Sequence, residues 1–373
     1  MNELRPPGGD RAIPTQVGVV PARPGAGGAA ASSSFALPPG SGSGLPTAPA
    51  SLEIRSQRFD WGSRTFLMGI VNVTPDSFSG DGLLAKAAAG AKAGAVEQAG
   101  AVDRAPDPVA LAVALGQAMV ADGADILDVG GESSRPGHAA VPAEEEISRV
   151  LPVVRALRAV LPGVPLSVDT VKPAVAASAL EAGADIVNDV WAVAPDDSLA
   201  RIAAEHGAPL VLMHNRAEAR YRSLLVEVLA DLERAIDRAL AAGVAWERLL
   251  VDPGFGFGKT PAHNLALLRE LPAIRLLGRP VVLGTSRKST LGKVLDLPPD
   301  ERLEATLATT ALAVAAGVDV VRVHDVRPNV RAARMADAVV RGWTPPDEAA
   351  RSAPAGLAAA TAMANGAPGE ASR

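Results

Sequence analysis

Asp169, Asn188 and Asp252 each close a short apolar run, in "PLSVDT", "DIVNDV" and "LLVDPG". Carboxylates and amides are costly to bury without partners. A flat ring bearing N–H and exocyclic NH2 donors would supply those partners. A second set, Asn72, Arg287, Lys288, Arg322 and His324, closes three other runs. Phosphate oxygens want cationic forks, and hard divalent ions want oxygen ligands. The first set predicts a wall for a purine-like ring, and the second predicts an anion site that tolerates a metal.

Lysine usage sharpens this reading. The chain has six lysines (Lys86, Lys92, Lys172, Lys259, Lys288 and Lys293), and its other basic side chains are arginines or histidines. Lys259 and Lys288 follow apolar runs in Gly/Ser/Thr-rich stretches, where a point-charge ammonium does what an arginine fork does not. Two solvated loop lysines are an equal alternative. "DPGFGFGKT" is not a P-loop, because the first Gly of GxxxxGK[ST] would fall on Pro253. Its glycines instead suit a loop whose backbone approaches a ligand, with Phe255 or Phe257 as an apolar wall. "EEE" at 144–146 opens a helix and reads as a solvated face favoured by the helix dipole. His206 and His263 read as surface residues, whereas His324 shares one strand face with Arg322 at i and i+2.

The elements that must position these residues alternate along the chain. Eight apolar runs, beginning with "FLMGIVNV" (66–73) and "DILDVGG" (125–131) and ending with "PVVLGTS" (280–286) and "DVVRVHDV" (319–326), alternate with helix-period segments. Several of those segments end in Gly, as a helix C-cap should. Eight βα units in about 280 residues favour a closed (β/α)8 barrel over an open doubly wound sheet. In such a barrel the strand ends converge on one mouth. Asn72, Glu132 with Ser133 and Ser134, Asp169, Asn188 with Asp189, His214 with Asn215, Asp252, Ser286 with Arg287 and Lys288, and Arg322 with His324 mark that mouth. "SLEIRSQRFDWGSRT" predicts a hairpin closing the opposite end. Residues 1–50 and 345–373 are Pro/Gly/Ala-rich without periodicity, which predicts disordered tails around a domain spanning 51–344. An Ala/Gly-rich insertion at 85–106 is either a mobile loop or a frayed helix.

Composition sets outer bounds. The 373 residues are 48% hydrophobic and carry a net charge of -5, so nothing marks a nucleic-acid or anionic-membrane surface. There is no cysteine, which excludes disulfides, thiolate zinc sites and Cys nucleophiles. No apolar run approaches the roughly 18–20 residues of a membrane span. A cytoplasmic protein is the expectation.

"MGIVNVTPDSFSGDG", "DILDVGGESSRPG", "SVDT", "DIVNDV", "DPGFGFGK", "GTSRKS" and "RVHDV", in this order, resemble dihydropteroate synthase over about 66–343. The resemblance implies a pterin-binding TIM barrel. It also implies condensation of 6-hydroxymethyl-7,8-dihydropterin diphosphate with p-aminobenzoate to 7,8-dihydropteroate and diphosphate, in folate biosynthesis and with Mg2+. Asp169, Asn188, Asp252, Lys288, Arg322, Met213 and Gly284 would then bind the pterin. Asn72, Ser134, Arg322 and His324 would bind the diphosphate, with Asn72 also on the metal. Ser134, Arg135, Pro136, Phe257 and Ser286 would shape the p-aminobenzoate site. Lys288, Arg322, His324 and Asp169 would carry the catalysis, by an SN1-like displacement. A homodimer and competition by sulfonamides are also implied.

Three departures stand out: Ser134 where the family usually has Thr, "MHNRAEARY" after the fifth run, and the insertion at 85–106. Two other readings compete. A methyltetrahydrofolate-using methyltransferase shares the barrel but has no need of a diphosphate clamp. A pterin-binding homologue without synthase activity would not need to keep Asn72, Lys288, Arg322 and His324.

Overall fold

A computed structural model describes residues 49–74, 107–132, 141–192 and 196–343. The expected tails apart from residues 49–50, the 85–106 insertion and the segment carrying Ser133, Ser134, Arg135 and Pro136 lie outside these residues, as do Pro75, Asp76 and Ser77.

All eight apolar runs form strands: β3 (Phe66–Asn72), β4 (Ile126–Gly130), β5 (Leu166–Asp169), β6 (Ile186–Asp189), β7 (Leu210–Met213), β8 (Leu249–Asp252), β9 (Val282–Leu283) and β10 (Val320–Val323). They pair in parallel in the order β8-β7-β6-β5-β4-β3-β10-β9. A parallel bridge between Val251 and Val281 joins the two ends. The sheet is therefore a closed barrel, as the alternation predicted.

Period-2 alternation sorts each strand's side chains. Leu67, Val71, Leu127, Val129, Leu166, Val168, Leu210, Leu212 and Val321 join the core shared with the surrounding helices. Met68, Ile126, Ile186, Val211, Leu250, Val282 and Val320 form a second cluster inside the barrel. That inner cluster also contains Leu52, Ile54, Phe59 and Trp61. These four come from or directly follow an antiparallel hairpin, β1 (Leu52–Ile54) and β2 (Gln57–Phe59). Phe59 is fully buried, stacked on Trp61 and packed on Phe66. The hairpin thus plugs the bottom of the barrel, as "SLEIRSQRFDWGSRT" suggested.

Aspartates just ahead of three strands fasten that lower rim. Asp125 accepts from Leu67 N (2.8 Å), Asp185 from Leu166 N (2.9 Å), and Asp319 from Val281 N (2.9 Å). Each takes a backbone donor at or near the foot of a neighbouring strand, which would otherwise cost desolvation energy.

The helices follow their sequence signals. The first, α1 (Pro108–Ala121), begins with Pro at N1 behind an Asp107 cap that accepts from Val109 N. It is followed by α2 (Ala143–Val160), α3 (Pro173–Glu181), α4 (Ser198–Glu205) and α5 (Leu224–Ala241). The series ends with α6 (Pro261–Arg269), α7 (Leu271–Ile274), α8 (Ser289–Leu295), α9 (Leu303–Ala315) and α10 (Val326–Arg341). Among the described residues, no helix is long and apolar enough to cross a membrane.

Candidate active site at the barrel mouth

The same alternation that fills the floor with apolar residues places the polar residues above it. Asn188 lies two residues beyond Ile186, Met213 beyond Val211, Asp252 beyond Leu250, Gly284 beyond Val282, and Arg322 with His324 beyond Val320. The register sets Asn72 opposite Gly130, Gly130 opposite Asp169, Asp169 opposite Asn188, and Met213 opposite Asp252. A Cβ on Gly130 would stand 3.6 Å from both Asn72 Oδ1 and Asp169 Cβ. These predicted site residues therefore share one inward face.

Arg322 organises this face. Its Nε donates to Asp128 Oδ2 at 2.6 Å and its Nη2 to Asp169 Oδ2 at 2.7 Å. Asn188 Nδ2 donates to the same Asp128 oxygen at 3.2 Å. Asp128 is fully buried, and sequence reasoning missed it. It lies inside the run "DILDVGG" rather than at its end, and only its phase with Ile126 and Gly130 marks it as inward. Asp128 Oδ1 and Ser167 Oγ are buried without a hydrogen-bond partner among the described residues, so both can accept from a ligand.

Burial sets the electrostatics. It pushes Asp169 up to about 7, with Arg322 opposing the rise. Asp252 is also raised by burial, with Lys288 and the Gly254 N–H opposing. Burial draws Lys288 down to about 8, with Asp252 opposing. Carboxylates and cations here compensate one another at short range in a dry site.

Lys288 reaches the mouth from the segment after β9. Its Nζ donates to Phe255 O and lies 4.4 Å from the centre of the Phe257 ring. Phe255 is core, so of the two phenylalanines Phe257 is the wall residue. Gly256, at φ 86°, is required because a Cβ there would fall 2.8 Å from Lys288 Cδ. At Gly256 the close approach is to Lys288 itself. Ser286 Oγ lies 3.0 Å from His324 Nδ1 and accepts from His324 N at 3.2 Å, which joins two further predicted residues.

Several expected groups do not converge. Arg287 makes a two-pronged ion pair with Asp325 (2.9 and 2.6 Å) and is committed there, away from the anion site it was expected to join. His214 turns to α5, its Nε2 3.1 Å from Asp231 Oδ2, and Asn215 donates to Val190 O. Asp189 accepts from Trp191 N, a local turn bond. Glu132 pairs with Lys172, and Lys172 also reaches Glu146 Oε2 at 2.6 Å. Glu146 is fully buried, so "EEE" is not a uniformly solvated face. Lys259 is not solvated either: its ammonium meets His214 Nδ1 and two backbone carbonyls. His206 is exposed, as expected, while His263 completes a capping box at the start of α6.

A metal finds little protein here. Among the described residues, no group of three or more His, Cys, Asp or Glu side chains could hold one. Asn72 offers a single amide oxygen at the end of β3. That donor set fits Mg2+ arriving on phosphate oxygens, because the ion keeps waters and accepts few protein ligands.

The family described as pterin binding enzyme matches residues 105–324. A dihydropteroate synthase of Clostridium beijerinckii is 44% identical over 291 residues, covering 78% of this chain and 100% of that protein. One from Bacillus subtilis is 46% identical over 277 residues, covering 74% of this chain and 89% of the other. Among solved structures, the Xanthomonas albilineans dihydropteroate synthase in complex with 7,8-dihydropteroate aligns with TM-score 0.64 at 40% identity, covering 76% of this chain and 96% of that one.

Proposed function

The chain belongs to the dihydropteroate synthases within the pterin-binding enzymes, and from that premise we propose how its own residues carry the reaction. The enzyme condenses 6-hydroxymethyl-7,8-dihydropterin diphosphate with p-aminobenzoate. The observation that carries the assignment of roles is the convergence of Asp169, Asn188, Arg322 and the buried Asp128 inside the mouth, with Asp252 and Lys288 electrostatically linked to them.

Asp169, Asn188 and Asp252 accept and donate along the amino-pyrimidine edge of the pterin, while Met213 and Gly284 line its faces. Lys288 reaches the ring from above Phe257. Arg322 leaves Asp169 to the ring's donors, stacks on the pterin and, with His324, binds the diphosphate. Asn72 would hold Mg2+ through its amide oxygen, and the ion would supply stabilisation of negative charge on the leaving group. Ser286 and Phe257 border the p-aminobenzoate site, together with Ser134, Arg135 and Pro136 from the segment after β4.

The chemistry asks for little proton transfer. The C–O bond to diphosphate breaks first, its electron pair leaving with the diphosphate and positive charge spreading from the CH2 carbon into the ring. The neutral arylamine then forms the C–N bond and loses a proton. No covalent intermediate with the protein is needed. The chain's work is to hold charge in a preorganised, water-poor site. Sulfonamides compete as p-aminobenzoate mimics.

Two further readings accompany this one. The enzyme works in the cytoplasm. It acts as a homodimer through the packed pair α9 and α10, where Leu312, Met335 and Val339 are all more than half exposed. Light scattering of the purified chain tests the dimer.

The deciding experiment follows diphosphate release and dihydropteroate formation with both substrates and Mg2+, beside Asp169→Ala. Turnover that needs p-aminobenzoate and metal and collapses in the variant supports these roles. Pterin diphosphate binding without turnover would point to a binding homologue.

A further inference from the structure

The seat of Lys288 is built by the segment 253–259 rather than by the connection between β9 and α8 that carries it. Phe255 contributes the carbonyl that Nζ donates to, and Phe257 contributes the ring beneath it. Gly256 contributes the clearance that lets the side chain lie against the backbone.

Besides the bond from Gly254 N to Asp252 Oδ1 at 2.7 Å, three fastenings hold that segment. Gly256 N donates to Asn264 Oδ1 at 2.8 Å, and Tyr221 OH donates to Gly258 O at 2.8 Å. The third is Lys259. Its Nζ lies 3.0 Å from Gly254 O, 3.0 Å from Phe257 O and 2.8 Å from His214 Nδ1. Three acceptors at these distances use all three N–H groups of one ammonium. The Asp231 carboxylate, 3.1 Å from His214 Nε2, accepts a hydrogen bond from the neutral ring's N–H there, which leaves Nδ1 bare to accept from Lys259. Asp231 is in turn held from the loop after β7 by Arg216 Nε at 2.8 Å. Here the departure "MHNRAEARY" finds its place, because Arg216 and Tyr221 both belong to it.

We propose that Lys259 is a positioning residue for pterin diphosphate: oriented by His214 and Asp231, its ammonium pins the carbonyls of Gly254 and Phe257 so that the segment seats Lys288. This inference rests on the reading of Lys288 as a pterin contact. An arginine is a poor substitute, since two carbonyl oxygens and a ring nitrogen around one point suit a compact ammonium and not a planar fork. Burial keeps His214 neutral by pushing it down to about 4, as an acceptor must be. Burial pushes Lys259 down to about 7, with Asp252 and Asp231 opposing the fall and Lys288 and Arg216 adding to it, so the pinning ammonium is best populated on the acid side of that value.

The test measures the Kd of pterin diphosphate without p-aminobenzoate, together with kcat, KM and Tm, for wild type, Lys259→Met, Lys259→Arg, His214→Phe, Lys288→Met and the Lys259→Met/Lys288→Met pair. Lys259→Met is expected to weaken pterin diphosphate about tenfold or more while still folded at the assay temperature, and Lys259→Arg not to rescue it. His214→Phe, which keeps the lysine but removes its third acceptor, should give a smaller rise of about two- to fivefold in the same constant. In the Lys288→Met background, Lys259→Met should add less than about twofold, the non-additivity expected of two residues acting as one. A fall in Tm with unchanged Kd for the folded Lys259→Met and His214→Phe variants would overturn the inference, and so would losses that multiply in the pair. If wild type itself fails to bind pterin diphosphate, the reading of the site falls first and this inference with it.

Discussion

Arg322 Nη2 sits 2.7 Å from Asp169 Oδ2, while the other side of the same guanidinium is bound by Asp128 at 2.6 Å. One cation thus spans β10, β4 and β5 and compensates two carboxylates inside the barrel. In the proposed function the pterin's donors take the place of Arg322 on Asp169. Asp128 is the pivot in that exchange because it also holds Asn188.

Removing this pivot is expected to cost stability as well as binding. Asp128→Ala leaves Arg322 Nε and Asn188 Nδ2 without their buried acceptor. Breaking a buried pair from one side costs about 3–5 kcal/mol. At roughly 2–4 °C per kcal/mol for a domain of this size, Tm should fall by about 6–20 °C in a calorimetric scan. Pterin affinity should fall too, because Asn188 and Arg322 lose their aim. A variant with wild-type Tm and Kd would show that Asp128 does not organise the site.

Asp169→Asn and Asp252→Asn separate charge from shape. Each keeps the side chain's size but exchanges an acceptor oxygen for an amide donor facing the ring's own donors. A hydrogen bond to a charged group is worth about 1.5–3 kcal/mol. Titration calorimetry with pterin diphosphate should therefore show a Kd raised by about 10- to 100-fold for each. Equal binding by both variants would move the pterin away from these carboxylates.

The sequence was most legible where one signal had one cause. Eight β-branched runs became eight strands because period-2 burial against helices admits no other placement, and Asp169, Asn188, Asp252, Met213, Gly284 and Arg322 share a face because they keep phase with the floor residues. Polarity at a strand end was a weaker signal, since it cannot tell inward from outward. His214, Asp189 and Arg287 satisfy it equally and point to α5, to a turn and to Asp325. Charge in a helix's first turn misled in the same way. Glu146 differs from Glu144 and Glu145 only in facing Lys172, a contact 26 residues away that no local pattern encodes. Asp125, Asp185 and Asp319 were readable as a repeated Asp before an apolar run, but their role depends on the neighbouring strand.

The hairpin plug and the mouth should respond independently. Phe59 is fully buried against Trp61 and Phe66 at the end of the barrel away from the site. Phe59→Ala is expected to cost about 3–5 kcal/mol, the range for deleting a buried aromatic ring. Thermal melts should register this, whereas KM for both substrates, measured well below the lowered Tm, should stay within about twofold of wild type. A changed KM would mean that the plug sets the strand register all the way to the mouth.

Acidity should act on both sides of neutrality. Burial raises Asp169 to about 7, so below that pH it is increasingly protonated and has lost the charge that attracts the pterin's donors. Lys288 is lowered to about 8, so above that pH it is increasingly neutral and donates more weakly. The competent form, Asp169 ionised and Lys288 protonated, is populated chiefly between the two. The expected profile of kcat/KM for pterin diphosphate is a bell with limbs near these values, each falling up to about tenfold per pH unit. Asp169→Asn has no carboxyl to titrate, so its acid limb should flatten while the alkaline limb remains. An unchanged acid limb in that variant would assign it to another group, with Asp252, also raised by burial, next to be substituted.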